Sequence, residues 1–553
     1  MEFSADKSFL EYFYEWEKSQ PDKVFLRQPI GDIFKDFTWD EVGKQARKLA
    51  TYLLSLNLPA KSNIGLVSKN CAEWIIADLG IMLSGHISVP FYPTLTADQL
   101  NQVLMHSESK VLFVGKLDNP EVIKKGIPED VLCISFPTYN PDIRHVQWDK
   151  IMSECAIQTN DYKPSLHDIF SIIYTSGTTG NPKGVMLQYN ALSSCIPYVY
   201  ERLKWNIPET RFFSYLPLCH IAERNAVEGA AFITGGTIYF AESLDTFSKN
   251  LVNAHPTHFL AVPRIWTKFQ MGILAKLPQK KLDLLLKIPI INSLIKKKIV
   301  NGLGLQDSVL NYTGAAPMPA SLLKWYRKLG INIQNVYGMT ENTALVSMTP
   351  ADVFKDDTVG KIWEGVELRF IPDTGEICTR SASNMVGYFK EVQLTAETID
   401  AEGWIHTGDV GETDDQGYLK ITGRVKEMYK TSKGEYVAPA QIEMKYAENS
   451  LIEQICIIGQ GLPQPIALVV LSETAKNEEY EVVTNSLVTT LTQLNSTLKS
   501  YERLHRIVIV KESWTVENNK MTPTMKLKRN VIEQEYKHKA EKWYLADETI
   551  IRE

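Results

Sequence analysis

The sequence predicts an α/β fold in two parts: a large N-terminal region of several subdomains, residues 1–425, and a small α+β region, residues 426–553. Three observations predict it. Short apolar runs rich in β-branched residues alternate with segments of helical periodicity through the first part, as in layered α/β proteins. A chain of 553 residues exceeds what one compact core usually holds. Hydrophobic residues make up 44% of it and charged residues 22%, which is typical of a folded chain.

The first elements can be assigned in chain order. Residues 37–56 predict a helix, because Thr38 suits its N-cap, Glu41 stands three residues later, and apolar residues then recur at helical spacing. The elements that follow are predicted as strand 63–67, helix 74–84 and strand 87–89, and then as strands at 110–114, 169–174, 212–216, 237–240 and 309–312. This alternation extends the α/β region to about residue 425.

The last part of the chain has a different pattern. Residues 454–458 and 466–471 are β-rich runs separated by the turn-rich segment GQGLPQP. A helical segment and a final basic stretch follow them. The pattern predicts a small, separate α+β domain.

Charge and composition exclude several classes of protein. Lys and Arg number 59 against 65 Asp and Glu, so the formal charge of −6 provides no global field for nucleic acid. The seven scattered cysteines have neither zinc nor disulfide spacing and predict free thiols in a reducing cytoplasm. The N-terminus lacks the pattern of a secretory signal, and the apolar runs are shorter than the ~20 residues of a membrane span. We therefore expect a cytoplasmic protein.

A loop rich in glycine and hydroxyl groups follows the apolar run FSII. It spans YTSGTTGNPKGVM, residues 174–186. Its glycines let backbone N–H groups approach an anion, its hydroxyls donate hydrogen bonds, and Lys183 adds a positive charge, which together suit triphosphate oxygens. An exposed turn is the alternative interpretation. Gly184 after Lys183 excludes a Walker-type phosphate loop, which needs Ser or Thr there.

The loop closely resembles the phosphate loop of the adenylate-forming superfamily, which includes acyl-CoA synthetases, luciferases and nonribosomal peptide adenylation domains. Further motifs follow the loop in the order of that superfamily. The whole resemblance spans about residues 37 to 529. The resemblance assigns nucleotide binding in the loop to Thr175, Ser176, Gly177, Thr178, Thr179, Gly180 and Lys183.

The next three motifs resemble segments around the acyl and adenine sites. YLPLCHIAER, residues 215–224, is similar to the acyl-site segment of long-chain acyl-CoA synthetases and makes His220 a candidate site residue. GAAP resembles the turn along adenine and implicates Gly314, Ala315 and Ala316. YGMTE resembles the segment whose tyrosine packs on adenine, whose threonine meets the α-phosphate and whose glutamate helps to hold magnesium, which implicates Tyr337, Gly338, Thr340 and Glu341.

The remaining motifs lie on both sides of the predicted domain boundary. WIHTGD resembles the ribose motif, and the carboxylate of Asp409 can accept from both hydroxyls of a diol. GRVKEMYK resembles the hinge motif, with Arg424 at the nucleotide and Lys426 at the pivot. SKGEYVAP resembles the loop along the thiol path, which implicates Gly434. TPTMKLKR resembles the catalytic-lysine motif, with Lys526 at the catalytic position; Lys528 and Arg529 are interpreted as solvated charges.

The resemblance implies an AMP-forming fatty acid–CoA ligase. Residues 1–425 would then be the adenylation domain and residues 426–553 a mobile C-terminal domain with its hinge at residue 426. ATP, coenzyme A and a fatty acid of medium or long chain would be the substrates, with Mg²⁺ as cofactor. The segment VPFYPTL, residues 89–95, is similar to the long-chain branch and favours a fatty acid over aryl or amino acids.

Three other functions stay open at this point. The first is a fatty acyl-AMP ligase that loads a free-standing acyl-carrier protein. The second is an oxygenase of the luciferase type, which shares these motifs. The third is a non-catalytic acyl or nucleotide sensor, which would have no need of Lys526.

Residues 276–305 combine lysines with aliphatic runs. They predict either a basic amphipathic surface that contacts anionic lipid peripherally, or a packed helix pair with a solvated face. The helix pair is the favoured interpretation.

Overall fold

Two large β-sheets with helices packed against them form most of the chain in this computed structural model. The structure describes residues 3–137, 139, 142, 144–176, 182–516, 518–522 and 526–553. Within them the helices α1 to α20 are Phe9–Ser19, Trp39–Ser55, Ala72–Leu83, Ala97–Ser107, Pro120–Lys124, Trp148–Glu154, Tyr189–Ser193, Ile196–Arg202, Ile221–Glu223, Ala230–Thr234, Phe247–Ala254, Pro263–Lys276, Gln279–Leu286, Pro289–Gly302, Ala320–Lys328, Val392–Thr398, Pro439–Tyr446, Glu473–Lys476, Tyr480–Asn495 and Arg529–Tyr544.

The strands of the described residues belong to five sheets. In chain order, β1 to β27 are Val24–Ile30, Ile33–Thr38, Asn63–Val67, Ile87–Phe91, Val111–Val114, Leu132–Ser135, Val146–Gln147, Ile169–Ser176, Pro182–Gln188, Arg211–Ser214, Thr237–Phe240, His258–Leu260, Leu310–Thr313, Ile333–Tyr337, Ser347–Met348, Lys361–Ile362, Glu367–Phe370, Glu376–Arg380, Gly387–Tyr388, Ile405–Thr413, Leu419–Arg424, Tyr429–Lys430, Tyr436–Val437, Ile452–Ile458, Ile466–Leu471, Ile507–Ile509 and Ile550–Arg552.

The two large sheets share one hydrophobic core. The nine-stranded sheet has the order β16-β15-β14-β13-β12-β10-β11-β1-β2, and the eight-stranded sheet the order β19-β9-β8-β4-β3-β5-β6-β7. Their central strands run parallel, so both faces need covering by helices. Helix α3 is accordingly buried along its whole length, and it belongs to the largest core cluster.

A smaller sheet and a separate C-terminal unit follow. The sheet β17-β18-β20-β21 carries the segment with Asp409 on β20. After β21 the chain forms the sheet β24-β25-β26-β27, which is covered on its two faces by two further hydrophobic clusters. This unit contains α17 to α20 and has its own core.

The fold class predicted from the sequence is confirmed: the protein is α/β, with a large N-terminal and a small C-terminal domain. Thr38 caps α2 and Glu41 completes the capping box, as predicted. The strands at 63–67, 237–240 and 466–471 have the predicted bounds. Within the described part of the chain, no helix has both the length and the apolar content needed to cross a membrane. All seven cysteines are free thiols.

Candidate active site

Three of the predicted motifs follow directly after parallel strands of the nine-stranded sheet. The segment with His220 follows β10, the turn 314–316 follows β13, and the segment 337–341 begins at the end of β14. These strands are linked by parallel pairing through β12. Because the carboxyl ends of parallel strands lie at one edge of a sheet, the three motifs meet at that edge, where ligands of open α/β sheets bind.

The two arms of the predicted phosphate loop form an antiparallel hairpin. Thr175 on β8 lies directly opposite Lys183 on β9. Ser176 ends β8. The tip of the loop, with Gly177, Thr178, Thr179 and Gly180, lies outside the described residues. The hairpin nevertheless fixes where the loop leaves and rejoins the eight-stranded sheet.

Asp409 lies between Tyr337 and Arg424. The Tyr337 hydroxyl donates a hydrogen bond to Asp409 Oδ2 at 2.8 Å, and Arg424 Nε donates to Oδ1 at 2.7 Å. The negative charge of Asp409 raises the pKa of Arg424, and burial raises that of Tyr337. Each oxygen of the Asp409 carboxylate keeps a second acceptor position, so the group can still receive further donors.

Glu341 lies in a short 3₁₀ turn, Thr340–Asn342, and is buried. Its Oε1 accepts a hydrogen bond of 2.7 Å from the hydroxyl of Tyr388, which ends β19. The ammonium group of Lys183 lies 5.3 Å from the centre of the same tyrosine ring. Burial and the charge of Lys426 lower the pKa of Lys183, whereas Glu341 opposes this shift. Tyr388 therefore joins the phosphate-loop lysine to the predicted metal ligand, and nothing in the sequence had singled it out.

Close packing of neighbouring atoms explains two of the predicted glycines. A Cβ on Gly338 would lie 2.3 Å from the backbone of Ala344, and one on Gly314 would lie 2.7 Å from the side chain of Val336. Only glycine allows these approaches. Ala315 follows Gly314 with a positive φ of 65° and is exposed together with Ala316. The turn thus presents small residues at the surface of the site.

His220 has a structural role as well as a place near the site. Its Nδ1 accepts a hydrogen bond of 3.2 Å from the backbone N–H of Ala222, which caps the short helix α9. Burial and the charge of Lys526 lower the pKa of His220 to about 4. The ring is therefore neutral near pH 7, with its proton on Nε2.

Lys526, from the C-terminal domain, reaches the same site. Its side chain is accessible to solvent. Crowding by the surrounding protein and the charge of Arg424 lower its pKa, while Asp409 and Glu341 act in the opposite direction. The structure therefore brings Lys526 together with the predicted ribose, metal and nucleotide residues, although these lie more than a hundred residues apart in the sequence.

Two further residues of the C-terminal domain, Gly434 and Arg529, differ in their exposure to solvent. Gly434 lies on an exposed turn with a φ of 82°. The prediction of a solvated charge at Arg529 is wrong: its side chain is only 10% exposed, and Nη2 pairs with Glu443 Oε2 at 2.7 Å. The guanidinium group also donates to the carbonyl of Ile457, so it connects the start of α20 to α17 and β24.

A buried polar network supports the segment with His220. Asn70 donates to Ser214 Oγ at 2.8 Å and to the carbonyl of Leu216 at 2.6 Å. Glu223 Oε1 accepts from the backbone N–H of Tyr215, while its Oε2 is buried without a partner among the described residues. Burial raises the pKa of Glu223 to about 8, so the carboxyl is largely protonated near pH 7.

The neighbouring Arg224 is also buried, and it pairs with Asp78 and Glu228. The sequence contained one signal for this network, since Asp78 is a lone acid inside an apolar helical stretch. Its partners are distant in sequence and were not identifiable.

The residues present fit a magnesium ion held mainly by a nucleotide. Tyr388 contacts only Oε1 of Glu341, and among the described hydrogen bonds Oε2 accepts none. In the described part of the chain, one cluster of three potential metal-ligating side chains occurs: Glu376, Cys378 and His406. Glu341 is not part of that cluster, so it would be a single carboxylate ligand. A single carboxylate oxygen suits Mg²⁺, which usually keeps several waters and phosphate oxygens as ligands.

Comparison with known proteins identifies the family. The profile of the AMP-binding enzyme family matches residues 13–389, and that of the AMP-binding enzyme C-terminal domain matches residues 427–548. The chain belongs to the AMP-binding enzyme family. This confirms the family predicted from the motifs, and the two matches lie in the large and the small domain respectively.

Curated relatives of this AMP-binding enzyme cover nearly its whole length. The long-chain-fatty-acid–CoA ligase FadD15 of Mycobacterium bovis is 29% identical over 95% of this chain and 94% of its own. Long chain acyl-CoA synthetase 2 of Arabidopsis thaliana is 29% identical over 95% and 90%. Long-chain-fatty-acid–CoA ligase 5 of Rattus norvegicus is 28% identical over 90% and 82%.

Solved structures share the fold of the AMP-binding enzyme. The anthranilate CoA ligase AuaEII in complex with anthranoyl-AMP has a TM-score of 0.80 at 20% identity, covering 98% of this chain and 99% of its own. The A domain of the carboxylic acid reductase of Segniliparus rugosus, in complex with AMP and a carboxylic acid, has a TM-score of 0.80 at 20% identity, covering 97% and 94%.

Proposed function

We propose that this AMP-forming acid–thiol ligase converts a medium- or long-chain fatty acid to its acyl-adenylate and then to its coenzyme A thioester. The observation that carries the proposal is that Asp409 pairs with Arg424 while Tyr388 links Glu341 to Lys183 of the phosphate-loop hairpin. The charges of Arg424, Asp409 and Glu341 all act on Lys526. A nucleotide sensor has no need of a lysine at that point. Substrate class is supported by the relatives, which are named as long-chain fatty acid ligases.

The first step joins the fatty acid to the nucleotide. A carboxylate oxygen of the acid attacks the α-phosphorus of ATP in line, and the bond to the bridging oxygen breaks to release pyrophosphate. The ammonium group of Lys526 stabilises the charge that accumulates on the attacking and phosphoryl oxygens. Thr175 and Lys183 hold the β- and γ-phosphates, and Thr340 lies at the α-phosphate. The enzyme contributes mainly position and charge to this step.

The nucleotide is oriented by the groups around Asp409. Its carboxylate accepts from the ribose diol while Tyr337 and Arg424 keep it in place. The adenine lies along the turn 314–316 and Gly338, where small residues leave room for a flat base. Glu341 would hold Mg²⁺ through Oε2, and the ion would neutralise phosphate charge.

The second step transfers the acyl group to coenzyme A. The thiolate sulfur attacks the carbonyl carbon of the mixed anhydride, the bond to the phosphate oxygen breaks, and AMP leaves with that oxygen. We infer that the C-terminal domain rotates about residue 426 between the steps, so that Gly434 replaces Lys526 at the site. Exposed polar contacts across the domains, such as the ion pair of 3.0 Å between Arg264 and Glu453, are individually worth only about 0–1 kcal/mol and would not prevent this rotation.

The main alternative acceptor is a free-standing acyl-carrier protein. We would measure pyrophosphate release with MgATP across fatty acids of increasing length, with no acceptor, with coenzyme A and with a carrier protein. We expect turnover that requires coenzyme A and peaks at one range of chain lengths. Adenylate that forms but is discharged only by the carrier protein would contradict the proposed acceptor, and no pyrophosphate with any acid would contradict the enzyme activity itself.

A further inference from the structure

The helices α13, Gln279–Leu286, and α14, Pro289–Gly302, form a hairpin whose inner face is packed and whose outer face is open. Leu282 is buried, and Ile295 and Ile299 pack against the hydrophobic cluster around Trp266. The predicted helix pair is therefore present. Because the inner face already anchors it, the residues of the outer face cannot be buried within the same domain without losing that packing.

Four exposed aliphatic side chains belong to the hairpin. Leu284 is 62% exposed, Ile290 78% and Leu294 62%, and Ile288 in the connection is exposed as well. Isolated exposed aliphatic residues are ordinary on protein surfaces, but four within eleven residues expose more apolar side chain than single scattered residues do. We call these four residues the outer apolar cluster.

The sequence around the outer apolar cluster is rich in lysine. Residues 276–305 contain seven lysines and one acid, whereas the whole chain has a net charge of −6. The acid, Asp283, is half-buried and accepts from Gln279. The exposed lysines of the hairpin are Lys280, Lys281, Lys297 and Lys298 on the helices and Lys287 in the connection. A local excess of positive charge on an acidic protein indicates an anionic partner.

We propose that the outer apolar cluster and its lysines dock this protein on an anionic bilayer surface. Aliphatic side chains enter the boundary between headgroups and acyl chains, while the flexible lysines extend to the phosphate groups. This combination is typical of helices that lie in a membrane interface. A protein partner would instead need a surface that pairs five lysines individually around an apolar centre.

Charge and apolar area contribute separately to this binding. Each lysine near an anionic bilayer contributes about fivefold to partitioning, and this contribution is screened by salt. Each aliphatic side chain that leaves water contributes about tenfold or more, independently of salt. The salt dependence of binding therefore distinguishes the two groups of residues.

The test is co-sedimentation with vesicles of phosphatidylcholine, with and without phosphatidylglycerol, at low and high salt. We expect the unaltered protein to bind phosphatidylglycerol vesicles at low salt, and Ile290→Ser with Leu294→Ser to weaken binding at least tenfold at either salt. We expect Lys297→Gln with Lys298→Gln to weaken it at least tenfold at low salt only. The assay needs no turnover, so its outcome is separate from that of the proposed enzyme activity.

Matched changes elsewhere on the surface serve as controls. Val392 and Leu545 are 83% and 72% exposed, so Val392→Ser with Leu545→Ser removes similar apolar area. Lys537→Gln with Lys542→Gln removes two exposed lysines of α20. Both should bind as the unaltered protein does. The proposal would be overturned if the hairpin variants bound vesicles as strongly as the unaltered protein does. It would also be overturned if the unaltered protein bound equally to vesicles with and without phosphatidylglycerol. A third result would also overturn it: the unaltered protein binds no vesicles but forms a dimer in sedimentation equilibrium, and the Ser variant does not form that dimer. A second copy of the chain would then cover the cluster.

Discussion

The hydroxyl of Tyr388 donates a 2.7 Å hydrogen bond to Oε1 of Glu341, and both side chains are buried. This contact joins the eight-stranded sheet, through β19, to the turn that follows β14 of the nine-stranded sheet. It orients the carboxylate that is proposed to hold magnesium, and the same ring faces the ammonium group of Lys183. Tyr388 is therefore a positioning residue.

Tyr388→Phe should raise the Mg²⁺ concentration needed for half-maximal adenylate formation by about tenfold, because loss of an outer partner loosens a metal ligand. The rate at saturating Mg²⁺ should fall less. Pyrophosphate release titrated with Mg²⁺ measures both quantities. Tyr446→Phe, which removes a hydroxyl bonded to Asn495 in the C-terminal domain, is the control. An unchanged Mg²⁺ requirement would show that Tyr388 only fills space.

Lys526→Ala should slow adenylate formation by about 10²–10³, because it removes charge stabilisation in the transition state. Transfer of the acyl group from supplied acyl-adenylate to coenzyme A should stay near normal. The two half-reactions are measured separately, by pyrophosphate release and by thioester formation. Lys528→Ala, in the same loop but bonded to Asn519, should leave both steps nearly unchanged. Equal loss of both steps in Lys526→Ala would argue against exchange of the C-terminal loops.

Asp409→Asn should raise the KM for ATP by about tenfold to a hundredfold, because hydrogen bonds to a charged group are worth about 1.5–3 kcal/mol. A carboxylate that binds the ribose diol should also discriminate against 2′-deoxyATP, and the variant should lose most of that preference. Steady-state kinetics with both nucleotides provide the comparison. If the variant prefers ATP as strongly as the unaltered enzyme does, Asp409 serves only to hold Arg424 and Tyr337.

Glu223 should make stability depend on pH. Burial raises the pKa of its carboxyl from 4.5 to about 8. Between these values the native state holds a proton that the unfolded state has lost, so stability falls as the pH rises. The loss across the whole window is on the order of 5 kcal/mol. Glu223→Gln should remove it, and its Tm should exceed that of the unaltered protein by a margin that grows with pH. A margin independent of pH would contradict this assignment.

The sequence by itself determined the features that depend on neighbouring residues. The capping box of Thr38 and Glu41, the strands with apolar periodicity, and the order of the motifs from Thr175 to Lys526 are local patterns with local physical causes. The family and the fold class follow from them. The glycines at 314 and 338 also belong to these patterns, although only the structure shows which neighbouring atoms require them.

The tertiary structure decided which side chains meet. Tyr388 and Glu341 are 47 residues apart, and Arg529 and Glu443 are 86 apart, so no local pattern links them. The sequence interpretation places Arg529 among the solvated charges, yet folding places it against α17 and β24. The sequence of the hairpin α13–α14 contains aliphatic residues throughout. Packing against the rest of the domain determines which of them are buried and which are exposed. Long-range contacts depend on the strand order of whole sheets, which the sequence pattern of any single element does not contain.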